Sequence, residues 1–282
     1  MVISLTEWSL ASLLEPLTYV FFRRALLASL LVGALCGLVG VYIVLRGMSY
    51  IGHGLSHAVF GGAVISYLLQ ANFYLGAGLW GVASALLINE VAQRRKLGAD
   101  AAIGIVTTAS FAIGVAGISR QRRFTRNFEA ALFGNVLGIT PADLWMIAGV
   151  AMASTVALLI LYKPLLFSTF DEEVAEVYGV PTHWVNALFA LILAAVILVS
   201  MQVMGVTLIV AALVIPASAA RLLTGRFSSL LWLASLLGAG VSVLGMYASY
   251  YLDLASGATI VLIGTAIFLV AWLISWGKQR NR

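Results

Sequence analysis

Long apolar stretches, separated by short polar and glycine-containing segments, dominate the chain. Stretches such as 25–45 and 187–203 are apolar on consecutive positions, whereas a strand of a membrane barrel alternates apolar and polar residues. Because the hydrocarbon core of a bilayer is about 30 Å thick, one spanning helix needs about 20 apolar residues. The pattern therefore predicts an all-α membrane protein, a polytopic helix bundle.

The apolar segments predict about eight transmembrane helices and one re-entrant or broken helical piece. Segment 56–70 is short for a crossing, and the polar, glycine-rich stretch 46–62 precedes it, which is typical of a helix broken inside a protein-lined cavity. The chain, 1–282, is expected to form one transmembrane domain with a cytoplasmic loop at about 167–184. The segments are 25–45, 56–70, 73–92, 101–118, 143–162, 187–203, 205–223, 229–251 and 257–276.

Composition agrees with a membrane location. Hydrophobic residues make up 62% of the 282 positions and charged residues 10%, unlike a water-soluble globular domain. The net charge of +5 does not indicate nucleic acid binding, because the basic residues stand in short groups between apolar stretches, where they set topology. Cys36 is the single cysteine, which excludes a disulfide within the chain.

The basic residues also predict an orientation, because short cytoplasmic loops carry an excess of Lys and Arg. Placing both termini in the cytoplasm puts most basic groups there and leaves one cluster outside. The residues expected inside are Arg23, Arg24, Arg94, Arg95, Lys96, Lys163, Arg221, Arg226 and Lys278. The cluster expected outside is Arg120, Arg122, Arg123 and Arg126.

Three ionisable residues in or beside apolar stretches form a candidate metal site. His53 and His57 stand four positions apart, so a helix presents both imidazoles on one face. Imidazole is a preferred ligand of zinc and iron and is acceptable to manganese. Asp253 lies at an outer junction between two long apolar segments and is expected to complete the site. The alternative is that the histidines bond backbone carbonyls and that Asp253 caps the following helix.

The chain has no motif that would supply energy from ATP. A phosphate-binding loop places Ser or Thr after its lysine, whereas Lys96, Lys163 and Lys278 precede Leu, Pro and Gln. The stretch 171–180 combines helix-forming residues, clustered acids and a terminating glycine, which predicts one short helix outside lipid. That helix is either a solvated connector or the lever on which a separate motor subunit acts.

Four motifs in order resemble the zinc/manganese/iron permease family of ABC importers, over nearly the whole chain. RGMSYIG followed by SHA is similar to the family's segment that ends in Ser-His. FGNVLG, GVTLIVAALVIPA and DLASGA are similar to its Leu-Phe-Gly-Asn segment, its signature helix and its late Asp-x3-Gly segment. These motifs occupy 46–52 with 56–58, 133–138, 205–217 and 253–258.

The resemblance implies a permease subunit of an ATP-driven importer of divalent zinc, manganese or iron, in the bacterial inner membrane. It implies a homodimer of permease copies, separate ATP-binding ABC subunits and an extracytoplasmic metal-binding protein. No cofactor is expected to be bound permanently, ATP belongs to the partner subunit, and this chain is a transporter rather than an enzyme. The loop with Glu173, Ala175 and Gly179 is similar to the coupling loop through which ABC importers contact their ATPase.

One position departs from the family pattern, because the family commonly has Asp where this chain has His53. Exchanging an oxygen ligand for an imidazole nitrogen shifts preference from manganese toward zinc or iron if the ring faces the ion. A competing function is an ion-coupled secondary metal transporter that works without an ATPase. An intramembrane metalloenzyme is disfavoured because no carboxylate base stands between His53 and His57.

Overall fold

The computed structural model describes residues 14–93, 99–121 and 134–280. These residues form ten α-helices, two short 3-10 helices (Glu15–Thr18 and Val136–Gly138) and no strand. The helices are α1 Val20–Leu45, α2 Ser49–Leu68, α3 Phe73–Gln93, α4 Ala99–Gln121, α5 Pro141–Ile160, α6 Tyr162–Phe170, α7 Glu172–Val177, α8 Thr182–Leu223, α9 Phe227–Leu252 and α10 Ser256–Arg280.

The predicted all-α polytopic bundle is confirmed. Six of the described helices are long and apolar enough to cross a membrane. In α1, the most apolar 18 residues have a mean hydropathy of 2.4, and two thirds of them are buried. A helix that is hydrophobic on all sides and buried among others is typical of a membrane bundle. Six basic residues of the predicted clusters lie outside the described residues: Arg94, Arg95, Lys96, Arg122, Arg123 and Arg126.

Helix α8 folds back on itself at Gly205. Arg46 at the end of α1 donates from Nη1 to Asn186 Oδ1 (2.9 Å), near the start of α8. Arg221, near the end of α8, donates to the Val44 carbonyl (3.4 Å), so both ends of α8 lie beside the same end of α1. Gly205 has φ 72° and ψ 164°, a conformation open to glycine. The two antiparallel limbs, 182–204 and 206–223, agree with the two predicted segments.

Backbone contacts close the fold-back. The Asn135 amide donates to the Gln202 carbonyl (3.0 Å), three residues before the break at Gly205. Gly134, with φ +82°, lies so close that an added Cβ would meet the Val203 carbonyl at 2.6 Å. The loop 134–138 therefore packs against the fold-back of α8 through backbone atoms.

Helix α2 is one continuous helix of 20 residues, not the broken piece that the sequence predicted. Its glycines are sites of close helix packing: an added Cβ would meet the Ser110 carbonyl at 2.3 Å from Gly61 and the Trp80 Cβ at 2.2 Å from Gly62. The chain turns instead at Gly47, where φ is +66°. A helix of this length covers about 30 Å, enough to reach from the Arg46 end of the bundle to the opposite end.

Because α2 is one continuous helix, the predicted side of the N-terminal residues was wrong. The Phe22 ring, at the start of α1, contacts the Tyr247 and Tyr250 rings (5.4 Å each) at the end of α9. Because α1 ends at Arg46, Arg23 and Arg24 lie at the opposite end of the bundle, the Asp253 end. Treating α2 as re-entrant reversed the side of everything before it. Four other basic residues that were predicted to share one side lie together at the Arg46 end: Lys163, Arg221, Arg226 and Lys278.

Replacement of Gly205 by Ala is expected to destabilise the protein by about 1–3 kcal/mol, because a non-glycine residue is strained at this φ. Gly240→Ala is the matched control, since Gly240 lies inside α9 with open space around its Cβ position. The midpoint of thermal unfolding of the purified protein measures both variants. Equal midpoints for the two variants would contradict the fold-back.

The corrected orientation predicts which exposed positions share one side of the membrane. A cysteine at Thr18 is expected to react with an impermeant maleimide from the same side as a cysteine at Leu254, and one at Gly225 from the other side. Native Cys36 is buried and leaves a low background. Labelling of intact and inside-out vesicles measures this. Reaction of Thr18→Cys and Gly225→Cys from the same side would contradict an α2 that runs from one end of the bundle to the other.

Candidate metal centre

His53 and His57 meet on one face of α2, as their spacing predicted. Their ring centroids are 4.5 Å apart and the ring planes are nearly perpendicular, at 86°. From Ile51 to Val64 these two are the residues that are not buried. Both side chains are partly exposed, so the pair lies at the edge of the buried surface of α2.

The neighbours of the pair leave one imidazole nitrogen unsatisfied. His53 contacts the Tyr50 ring (5.7 Å) and His57 contacts the Phe111 ring of α4 edge-on (4.7 Å). Within the described part of the chain, His57 Nδ1 is buried and has no hydrogen-bond partner. A buried polar atom without a partner carries a free-energy cost, and His57 Nδ1 is the one such atom among the described residues that belongs to an ionisable ring.

Ser56 joins the histidine turn to the fold-back of α8. Its hydroxyl lies 2.8 Å from the His53 carbonyl and 3.2 Å from the Val206 carbonyl, one residue after Gly205. Gly52, one residue before His53, faces Leu213 on the second limb, where an added Cβ would lie 3.0 Å from Leu213 Cδ1. Small residues around the histidines thus let the second limb of α8 approach the candidate site closely.

Asp253 lies apart from the histidines within one copy of the chain. It is the C-cap residue that follows α9, in the left-handed conformation (φ 53°, ψ 45°), and it is exposed. Its amide donates to the Ser249 carbonyl, so its backbone ends α9. Across residues 14–93, 99–121 and 134–280, no three His, Cys, Asp or Glu side chains are grouped as a metal site.

The predicted short helix after α6 is present as α7, at the Arg46 end. The Asp171 carboxylate accepts a hydrogen bond from the Val174 amide (2.9 Å) and caps its start. Ala175 is fully buried, and Gly179, with φ +80°, ends the turn. Glu173, by contrast, is exposed.

The outer face of α7 is apolar. Val177 and Tyr178 are 86% and 77% exposed, and Val174 and Phe170 add to the same surface. Apolar groups exposed together in this way mark interaction surfaces on proteins. We refer to Phe170, Val174, Val177 and Tyr178 as the α7 patch.

A polar cluster beside α7 was missed by sequence reasoning, which placed Arg46 in a motif without giving it a role. Arg46 donates from Nε to Thr169 Oγ1 (3.0 Å) and from Nη2 to Ser168 Oγ (2.9 Å), in addition to its bond to Asn186. Asn186 donates in turn to Glu172 Oε1 (2.6 Å). Burial lowers the pKa of Arg46 to about 10, against the opposing effect of the Glu172 carboxylate, so the guanidinium remains charged at neutral pH.

Comparison with known proteins agrees with this fold and with these motifs. The sequence model of the ABC 3 transport family matches residues 18–275. The manganese transport system membrane protein MntC of Halalkalibacterium halodurans is 40% identical over 261 residues, which is 93% of this chain and 89% of that protein. A probable iron transport system membrane protein of Haemophilus influenzae is 37% identical and covers 93% of both chains.

A solved structure matches over almost the whole chain. PsaBC from Streptococcus pneumoniae in complex with Fab superimposes with a TM-score of 0.84 at 34% identity, covering 94% of this chain and 95% of that chain. The chain therefore belongs to the ABC 3 transport family. It is a multi-pass permease subunit of the bacterial cell membrane, and the family resemblance predicted from the four motifs is confirmed.

Proposed function

We propose that this permease imports a divalent transition-metal ion and that His53 and His57 bind the ion in transit. The observation that carries the proposal is the ring pair, with centroids 4.5 Å apart on one face of α2, whose His57 Nδ1 has no hydrogen-bond partner among the described residues. Neutral imidazole nitrogens bind such ions through this type of lone pair. The family includes relatives named for manganese and for iron transport, which supports this class of substrate.

We propose that a second copy of the permease covers the histidine face. Ionisable side chains at membrane depth are costly in lipid and normally face a bundle interior or a water-filled cavity. Two copies related by a twofold axis would bring two histidine pairs to one pathway and supply up to four imidazoles. Asp253 is proposed to attract cations at the entrance, because its carboxylate is exposed at the end of the bundle opposite Arg46.

His53 sets the proposed metal preference. The family commonly has Asp at this position, and an oxygen ligand suits manganese better than a nitrogen ligand does. The ring of His53 faces that of His57 rather than turning away from it. We therefore propose that zinc or iron competes more strongly here than in a permease with Asp at this place.

The α7 patch is proposed as the contact with the ATP-binding subunit. Glu173, Ala175 and Gly179 match the family's coupling loop, and α7 lies at the Arg46 end, which the basic residues assign to the cytoplasm. The captured ion is proposed to arrive from an extracytoplasmic binding protein at the Asp253 end. A secondary transporter would instead carry metal without any ATPase, which the reconstituted chain alone tests directly.

Replacement of His57 by Ala is expected to lower metal uptake at least tenfold, because loss of a residue that only supports a ligand already weakens a metal site by about 10–100-fold, and loss of a ligand costs at least as much. Radioactive zinc, iron and manganese uptake into cells that carry the variant measures this. His183→Ala is the control, since His183 is exposed at the start of α8. Uptake at the wild-type rate in His57→Ala would remove the histidine pair from the pathway.

The metal preference is tested separately by His53→Asp. Manganese uptake relative to zinc uptake is expected to rise several-fold, because a carboxylate oxygen replaces a nitrogen ligand. Competition between the two ions in the same uptake assay gives the ratio. An unchanged ratio would show that His53 does not face the ion.

Val177→Asp is expected to weaken association with the ATP-binding subunit by about 10–100-fold, because burying an apolar side chain of this size contributes about 1.5–3 kcal/mol. Gly225→Asp adds the same charge at the same end of the bundle, where a side chain has open space, and serves as the control. Co-purification and metal-stimulated ATP hydrolysis measure the effect. Intact association of Val177→Asp would place the contact elsewhere.

A further inference from the structure

Arg46 stands between the proposed coupling helix and the histidine helix. It is the C-cap residue directly after α1, and only Gly47 and Met48 separate it from the first residue of α2. Through its three hydrogen bonds it reaches two residues of α6 and the start of α8. Asn186 extends this connection to Glu172, the first residue of α7.

Side-chain packing does not replace this polar connection. A cavity of about 360 Å³ opens beside Arg46 and separates Ile51 of α2 and Ile88 of α3 from the α6–α7 segment. Close packing transmits displacement between helices, and a cavity interrupts it. At this level of the bundle, the hydrogen bonds of Arg46 therefore connect the α6–α7 segment to the turn that leads into α2.

The geometry of Arg46 suits the transmission of movement. A guanidinium is planar and donates in fixed directions, so three simultaneous bonds fix its orientation. Its Cζ atom lies 4.8 Å above the Phe189 ring, which supports it on one face. Gly47, with φ +66°, makes the tight turn that leads from Arg46 into α2.

We propose that Arg46 is the positioning residue that converts movement of α7 into movement of α2, and so opens or closes the histidine pair. A rigid helix carries displacement at Ser49 to His53 and His57, which lie about 6 Å and 12 Å further along its axis. This inference rests on the proposed function, because it assumes that α7 receives the motor's movement and that the histidines hold the ion. Arg46 itself touches no ion in this arrangement.

The test measures metal uptake and ATP hydrolysis in the same vesicles, with the permease, its ATP-binding subunit and its binding protein reconstituted together. Arg46→Lys keeps the charge and loses the planar guanidinium, which donates its hydrogen bonds in fixed directions. We expect at least tenfold more ATP hydrolysed per ion imported, because the ATP-binding subunit still hydrolyses ATP while its movement no longer reaches α2. A variant that is merely destabilised lowers uptake and hydrolysis together, which would overturn the inference, as would wild-type coupling.

A second pair of variants covers the case in which Arg46→Lys does not fold. Thr169→Val removes one acceptor with little change of shape, and Thr169→Ser keeps the hydroxyl. We expect the ratio of hydrolysis to uptake to rise several-fold in Thr169→Val and to return toward the wild-type value in Thr169→Ser. Equal ratios in the two variants would overturn the inference.

The parallel His57→Ala sample separates this inference from the proposed function. If His57→Ala imports metal normally, the proposed site fails, whatever the Arg46 variants do. If His57→Ala loses uptake while Arg46→Lys and Thr169→Val remain coupled, the site stands and only the role of Arg46 is wrong.

Discussion

The structure depends on one constraint: inside a bilayer, a polar group must find its partner within the protein. Backbone groups satisfy this constraint by forming helices, which is why the described residues contain ten α-helices and no strand. Where the helical pattern breaks, other main-chain groups intervene, as the Asn135 amide does for the Gln202 carbonyl. Among the described residues, His57 Nδ1 is one of a few buried side-chain atoms without a hydrogen-bond partner, and the only one on an ionisable ring.

The same constraint explains which features the sequence could predict. Length and continuity of apolar runs predicted the helices, because the lipid thickness is a fixed external measure. The two limbs of α8 were separated correctly because glycine interrupts a single long run at Gly205. Helix α2 was misjudged because its glycines look like breaks in the sequence but are places of close approach to α3 and α4. Only the neighbours distinguish these two uses of glycine.

The candidate site was predictable to the extent that it is local. Spacing alone placed His53 beside His57, since positions four apart share a helix face. The position of Asp253 depends on where α9 ends in space, which no short pattern encodes. The partners of Arg46 are more remote still, because they stand 122 to 140 positions away along the chain. A single basic residue directly after an apolar run was the one sign in the sequence that such a cluster existed.

The fold-back of α8 has a consequence for how the protein is made. Gly205 lies 16 residues before Arg221, so the apex stands about 24 Å from the Arg46 end, within the depth of the bilayer. No hydrophilic loop joins the two limbs. The two limbs can therefore enter the membrane together from the ribosome's side, and insertion of this helix pair requires no hydrophilic segment to be carried across.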